Sequence, residues 1–252
     1  MANILFRKSY LHKTFYKVSY ESLWNTKGAF TTIRLIGLPP KFLFLNDHLN
    51  TLNRSIKKMN IDFILKSSTF ENLLKNKIKM NIKYDHLLRL AINNKKISIT
   101  LRKRLKPAAS FKGILVNYQR TNPSIKNLNY KKILGYLKKI NTQSREIILM
   151  NKKNILEGCT TNIICVKNKK LYLPKNKYYF GTTLQFIVSH TKRRIIKKNI
   201  NIKDLDTFDE ILLVGSGKGV IKLKSILQIK WNNKSDIVFK ELHDLYNSYI
   251  TQ

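Results

Sequence analysis

The sequence predicts an α+β protein in two parts, near residues 1–120 and 121–252. Three observations predict it: strand-length apolar segments that alternate with turn residues, helically spaced apolar residues between them, and a break at Gln119-Arg-Thr-Asn-Pro-Ser124. At 252 residues the chain is long enough for one large or two modest cores. Its 43% hydrophobic and 10% aromatic content exclude disorder.

The elements follow in order. Ala29–Leu35 alternates as a strand, Gly37-Leu-Pro-Pro40 turns the chain, and Lys41–Leu45 returns as a second strand. Asn46 or Asp47 then caps a helix carrying Leu49, Leu52, Ile56 and Met59 at helical spacing. A second helix is predicted over Lys83–Asn93, then strands over Ile97–Arg102 and Lys112–Tyr118. Beyond the break, Tyr130, Ile133, Leu134, Leu137 and Ile140 place a helix over about Leu128–Ile140. Strands are predicted at Glu146–Met150, Asn162–Val166, Lys170–Leu173 and Asp209–Val214. A long helix is predicted over Thr183–Lys198, and Asp236–Tyr249 closes the chain as a helix.

Charge is the unusual feature: 49 Lys and Arg against 14 Asp and Glu, net +35. Alone this suggests a nucleic-acid-associated protein. Arg, however, supplies only 10 of the 49, and Lys is a solvated point charge rather than a base-reading fork. The lysines are spread through nearly every segment alongside abundant Asn and Ile, a trio that AT-rich codons favour without any partner. Nucleic acid is therefore the alternative reading, and a phosphate-bearing cofactor or anionic substrate would still be attracted by such a field. No apolar run approaches a membrane span, and the basic stretch Met1–Tyr20 lacks a secretory apolar core. Cys159 and Cys165 are too few for a disulfide framework and have no metal-like pairing, so no metal is expected. A reducing, cytoplasmic setting fits, with an organelle transit peptide as the other option.

Four segments have chemical potential. Lys126, in Asn122-Pro-Ser-Ile-Lys-Asn-Leu-Asn129, falls where a loop meets a helix, and partial desolvation there would lower its amine pKa, as a Schiff-base lysine requires. Glu157 is the only acid between Glu146 and Asp204, and a carboxylate beneath a pyridine nitrogen keeps that ring protonated. Phe180-Gly-Thr-Thr-Leu184 offers backbone N–H groups and hydroxyls at a helix start, a phosphate cradle. Val214-Gly-Ser-Gly-Lys-Gly-Val220 follows a strand, but its spacing is neither that of a P-loop nor that of a dinucleotide fingerprint. Each has a plain alternative in isolation: a solvated lysine, a paired turn glutamate, an ordinary threonine cap, a tight bend.

Together and in this order, these segments resemble the class IV aminotransferases, the fold-type-IV pyridoxal-phosphate enzymes. The resemblance begins at Phe30-Thr-Thr-Ile-Arg34, includes Asp47-His-Leu-Asn-Thr-Leu52 and runs to Ser225. It implies a small N-terminal α/β domain and a C-terminal barrel-like domain with pyridoxal 5'-phosphate in the cleft between them, usually in a homodimer. It further implies that Lys126 bonds the cofactor and shuttles the proton, and that Glu157 pairs with the pyridine nitrogen. Gly181, Thr182, Thr183, Gly215 and Ser216 would hold the phosphate, and Thr161 and Asn162 would lie near the ring. The family's phosphate-binding arginine in the helix motif aligns with Thr51, so Arg54, one turn on, is the expected substitute. The arginine that usually follows the phosphate loop is Leu184 here.

Phe30-Thr-Thr-Ile-Arg34 and Ile125-Lys-Asn-Leu-Asn129 look most like aminodeoxychorismate lyase. This implies release of pyruvate and 4-aminobenzoate for folate synthesis, with Arg34 and Arg104 as candidates for gripping substrate carboxylates. A branched-chain or D-amino-acid aminotransferase is the alternative within the family. His48 is assigned to packing or capping, Tyr130 to the core or to the cofactor's phenolic oxygen, and the two cysteines to the core.

Overall fold

In a computed structural model the chain divides into two units, Met1–Leu105 with Ile125–Lys131, and Lys106–Ser124 with Lys132–Gln252. The structure describes residues 3–251; residues 1, 2 and 252, the outermost residues of the two expected domains, lie outside it.

The first unit contains β1 (Ile4–Leu11), β2 (Lys17–Val18), β3 (Gly28–Gly37), β4 (Lys41–Phe42), α1 (Leu45–Lys58), α2 (Ser67–Leu74), β5 (Tyr84–Asn93) and β6 (Lys96–Lys103). Its strands form one sheet in the order β2-β1-β6-β5-β3-β4. One face carries Ile33, Leu35, Leu88, Leu90, Ile99 and Leu101, and α1 brings Leu49, Leu52 and Ile56 into the same core. The helix starts at Leu45 behind Phe44 in the left-handed region (φ 54°), not behind an Asn46 or Asp47 cap. That early start shortens the predicted return strand to Lys41–Phe42. Asp47 still falls in the first turn, where its charge suits the helix dipole.

The predicted helix over Lys83–Asn93 is instead β5, which pairs with β3 along its whole length and with β6. A central strand is covered on both faces, so Leu87, Leu88, Leu90, Ala91 and Ile92 lose the alternation that marks a strand. Sheet pairing overrides the helix preference of Leu and Ala.

The second unit contains β7 (Ser110–Asn117), most of α3 (Lys131–Lys138), β8 (Arg145–Asn151), β9 (Asn154–Gly158), β10 (Asn162–Lys167), β11 (Lys170–Pro174), α4 (Thr182–His190), β12 (Ile195–Lys198), β13 (Glu210–Gly215), β14 (Gly219–Ile226), β15 (Trp231–Asn232) and α5 (Ile237–Thr251). Its sheet runs β12-β11-β10-β13-β14-β7-β8-β9, with β15 added on β14. The sheet curls until its ends meet. Beyond β12, Ile200 O accepts from Ile155 N and Ile202 N donates to Lys153 O, both at 2.8 Å, joining that segment to β9. The barrel-like shape implied for this part is present, filled by residues such as Phe111, Ile163, Leu213, Leu223 and Trp231.

The helix predicted over Thr183–Lys198 stops at His190, and Ile195–Lys198 pairs in parallel with β11. The helix predicted from Leu128 begins at Lys131. The residues before it are taken up by β3: Phe30 N donates to Lys126 O at 2.9 Å and Leu128 N to Gly28 O at 2.8 Å. Among the described residues no helix is long and apolar enough to cross a membrane.

Candidate functional site

In the first unit, Lys126 lies on a short extended segment laid against β3, with Ala29 and Asn127 bridged antiparallel. Gly28 makes this close approach possible: a Cβ there would lie 2.2 Å from Ile92 O and 2.7 Å from a Leu128 methyl. The Lys126 side chain is half-buried, and its Nζ stands 5.1 Å from the centre of the Phe30 ring. Phe30, Tyr130 and Trp24 form an aromatic wall there. Trp24 stacks on Tyr130 at 5.4 Å, and both meet Phe30 edge-on at 4.8 and 5.1 Å.

His48 is buried, with Nδ1 2.7 Å from Thr31 Oγ1. Burial, and then the charge of Lys126, push its pKa down to about 3, so it is neutral at physiological pH. Arg54 is exposed and donates to Thr51 Oγ1 at 3.3 Å, standing beside the position where the family carries its arginine.

Arg34 and Arg104, seventy residues apart in sequence, converge on one carboxylate. Their Nε atoms lie 3.1 and 2.8 Å from Asp85 Oδ1. Burial alone would raise the Asp85 pKa, but the Arg104 hydrogen bond and the two positive charges outweigh it and hold the carboxyl below its ordinary range. Arg34 is only 7% exposed, and its terminal amino groups have no partner among the described residues.

The second unit holds the other candidates, and they form one connected network. Glu157 is 4% exposed and takes a bidentate grip from Arg120, Nε to Oε1 at 2.7 Å and Nη2 to Oε2 at 2.8 Å. Tyr179 N also donates to Glu157 Oε2 at 3.1 Å. Each carboxylate oxygen has two lone pairs, so Oε1 can accept a further donor. Asn162 binds the same loop, its amide donating to Tyr179 O and its Oδ1 accepting from Gly181 N at 3.1 Å. A Cβ on Gly181 would come within 2.8 Å of that oxygen.

Thr182 and Thr183 are buried at the start of α4. Thr183 Oγ1 lies 3.4 Å from Ser216 Oγ, so the two hydroxyl-bearing turns meet at the N-terminus of a helix. Gly215 passes close under the other turn, where a Cβ would lie 3.0 Å from Thr160 O. Thr161 Oγ1 donates to Glu146 Oε2 at 3.2 Å, and Thr160 Oγ1 to the same oxygen at 2.8 Å. That oxygen also takes Lys218 Nζ at 2.5 Å, so the lysine of the glycine-rich turn is pinned to a fully buried acid.

The donor set fits a phosphorylated pyridine cofactor: clustered hydroxyls at a helix start for the phosphate, and a buried carboxylate paired with Arg120 for the ring nitrogen. Arg120, Glu146, Lys218 and Asp85 were not singled out in the sequence. The scarcity of acids that marked Glu157 applies equally to Glu146 and would have found it. The cysteines are buried, and burial raises both thiols, with neighbouring carboxylates adding to the effect at Cys159. Neither is a nucleophile.

A family model described as amino-transferase class IV matches residues 28–226. No curated protein sequence matches the chain. The fold is similar to that of a branched-chain aminotransferase from Thermoproteus uzoniensis solved with norvaline, at 18% identity over 95% of this chain and 93% of that one, TM-score 0.79. It is also similar to a Legionella pneumophila protein assigned as a 4-amino-4-deoxychorismate lyase, at 20% identity over 88% and 91%, TM-score 0.75. An aminotransferase from Brucella abortus bound to pyridoxal phosphate matches at 14% identity over 98% and 99%, TM-score 0.74.

Proposed function

The chain belongs to the class IV aminotransferase family, a pyridoxal-phosphate-dependent aminotransferase or lyase, and within that family we propose that it is a 4-amino-4-deoxychorismate lyase. The observation that carries this reading is the convergence of Arg34 and Arg104 on Asp85. A substrate with two carboxylates gains from a paired guanidinium site, whereas a branched aliphatic side chain does not. The Phe30-Thr-Thr-Ile-Arg34 run and the residues around Lys126 support the same choice.

Pyridoxal phosphate, when bound, supplies the electron sink for the carbon next to the substrate amine. This chain's residues do the rest. Glu157, gripped by Arg120, would pair with the ring nitrogen. Thr183, Ser216, the Gly181 and Gly215 turns and Arg54 would hold the phosphate, while Thr161 and Asn162 would fix the loops beside the ring. Lys126 acts first as a base, removing the ring proton, and then as an acid, protonating the enolpyruvyl methylene. Pyruvate leaves and the ring becomes aromatic as 4-aminobenzoate. By the same resemblance the enzyme is cytoplasmic and homodimeric, and its product enters folate synthesis.

The test is release of 4-aminobenzoate and pyruvate from aminodeoxychorismate by purified protein with pyridoxal phosphate and no keto acid. The native protein is expected to release both, and Lys126→Ala neither. A protein that shows the cofactor absorption band but releases nothing refutes the lyase reading and directs attention to keto-acid-dependent transamination.

A further inference from the structure

The face of the first sheet turned away from α1 is lined with arginine. Cross-strand neighbours share a face, and so do residues two apart on one strand. Arg89 pairs with Thr32 on β3 and with Thr100 on β6, and Thr100 pairs with Arg7 on β1. Arg102 lies two residues beyond Thr100, and Arg34 two beyond Thr32. Four of the chain's ten arginines therefore share this face, in a protein where lysine outnumbers arginine 39 to 10. Where composition drifts so strongly to lysine, arginine on one face marks a use for the planar fork.

Three of them, Arg7, Arg89 and Arg102, have no carboxylate in ion-pair reach among the described residues. Arg89 and Arg102 are half-buried. Burial first, and then repulsion from Arg102 and Arg7, hold the Arg89 guanidinium below its ordinary value, against an opposing pull from Tyr20. Three neighbouring cations, two of them partly desolvated and all without an acid, destabilise the fold unless an anion joins them.

The position of Arg89 says which anion. Its guanidinium lies 4.3 Å over the Trp24 ring, and Nη2 donates to Tyr20 Oη at 3.2 Å. Nε and Nη1 have no partner among the described residues. Trp24 belongs to the aromatic wall that reaches Phe30, and Phe30 lies under the Lys126 amine. A planar wall joining a reactive amine to an unsatisfied guanidinium suits a flat ring with an amine at one end and a carboxylate at the other.

We propose that Arg89, supported by Arg7 and Arg102 and braced on Trp24, is the subsite that reads the ring carboxylate of the substrate. Arg34 and Arg104 are left for the second carboxylate. The proposal rests on the lyase reading for the identity of the substrate, but its binding test is independent of turnover.

The experiment is calorimetric titration of 4-aminobenzoate into holoenzyme, native and as Arg89→Gln, Arg89→Lys and Trp24→Leu, with KM and kcat for aminodeoxychorismate measured alongside. Loss of a charge-assisted bond at Arg89 is expected to weaken binding and raise KM roughly tenfold to a hundredfold, with kcat moving far less. Arg89→Lys recovers only part, because a point charge replaces a fork. Thermal midpoints near native for Arg89→Lys show that the loss is not unfolding. Unchanged 4-aminobenzoate binding and KM in both Arg89→Gln and Trp24→Leu overturn the subsite, even if the lyase activity is present. Inorganic phosphate competing as strongly as 4-aminobenzoate marks a general anion site and also overturns it. Arg89-dependent 4-aminobenzoate binding without any lyase turnover supports the subsite while removing the lyase.

Discussion

Replacing Arg120 by Met strands a buried carboxylate. The pair is almost dry, with side chains 7% and 5% exposed, and is closed by two charge-assisted bonds at 2.7 and 2.8 Å. Without Arg120, Glu157 keeps only the Tyr179 N–H among the bonds described above. Removing one partner of such a pair costs about 3–5 kcal/mol. At about 2–4 °C per kcal/mol for a chain of this size, the midpoint falls by about 6–20 °C. Part of this loss is recovered at acid pH, because a stranded carboxyl escapes its charge by taking a proton. Circular dichroism melts of apoprotein, native, Arg120→Met, Glu157→Gln and the double variant, measure it. The double variant is expected to lose clearly less than the sum of the singles, since it buries no unpaired charge. A single-variant shift within about 2 °C, or strict additivity, refutes the idea that Arg120 and Glu157 act as one coupled buried pair.

Three further outcomes follow, two from the first unit and one from α3. His48 has a folded pKa of about 3 against an ordinary 6.5, so the unfolded chain binds a proton that the native state refuses. Stability should therefore be full above about pH 6.5 and fall as the pH drops toward 3, by on the order of 4 kcal/mol at the acid end. Urea unfolding across that range checks it, and His48→Gln should flatten the slope. Gly28→Ala puts a methyl 2.2 Å from a backbone oxygen and should cost about 2–3 kcal/mol and weaken cofactor loading. Gly135→Ala, in α3 with nothing within 4 Å, should instead stabilise by about 0.5–1 kcal/mol, as paired thermal melts will show.

β3, β6, β8, β10 and β13 were legible in the sequence although both their faces are largely buried, because short apolar runs rich in β-branched residues are bounded by turn or polar residues. β5 was not, since its run is dominated by Leu and Ala, has no alternation, and reads like a helix. β12 was hidden for another reason: Ile195 and Ile196 continue a helical spacing, and only the parallel edge of β11 decides otherwise. β1, β9, β14 and α2 carried signals too short or too mixed to stand out. At the site, glycines, hydroxyls and a lone acid were visible because they are rare or ordered in a recognisable way. Arg120, Lys218 and Arg89 were not, since each is one cation among 49 and its partner is chosen by topology. Glu210 shows the same limit. It turns out to hold the start of α5, accepting from Val238 N and Phe239 N at 2.9 and 2.6 Å, a role set by a helix that begins 27 residues later.

The hydrogen bonds between the Lys126 segment and β3 have a consequence for synthesis. While the chain is being made, the first 105 residues emerge with the Gly28–Phe30 edge of their sheet bare, an edge open to mispairing with other strands. That edge is closed only when residues 125–128 arrive, after β7 of the other unit has been translated. Nascent first-unit chains should therefore depend on their charge to stay apart, and a +35 protein has that repulsion in excess. The backbone that covers this edge is also the one that bears the reactive amine, so a molecule with this edge still open has its lysine out of register.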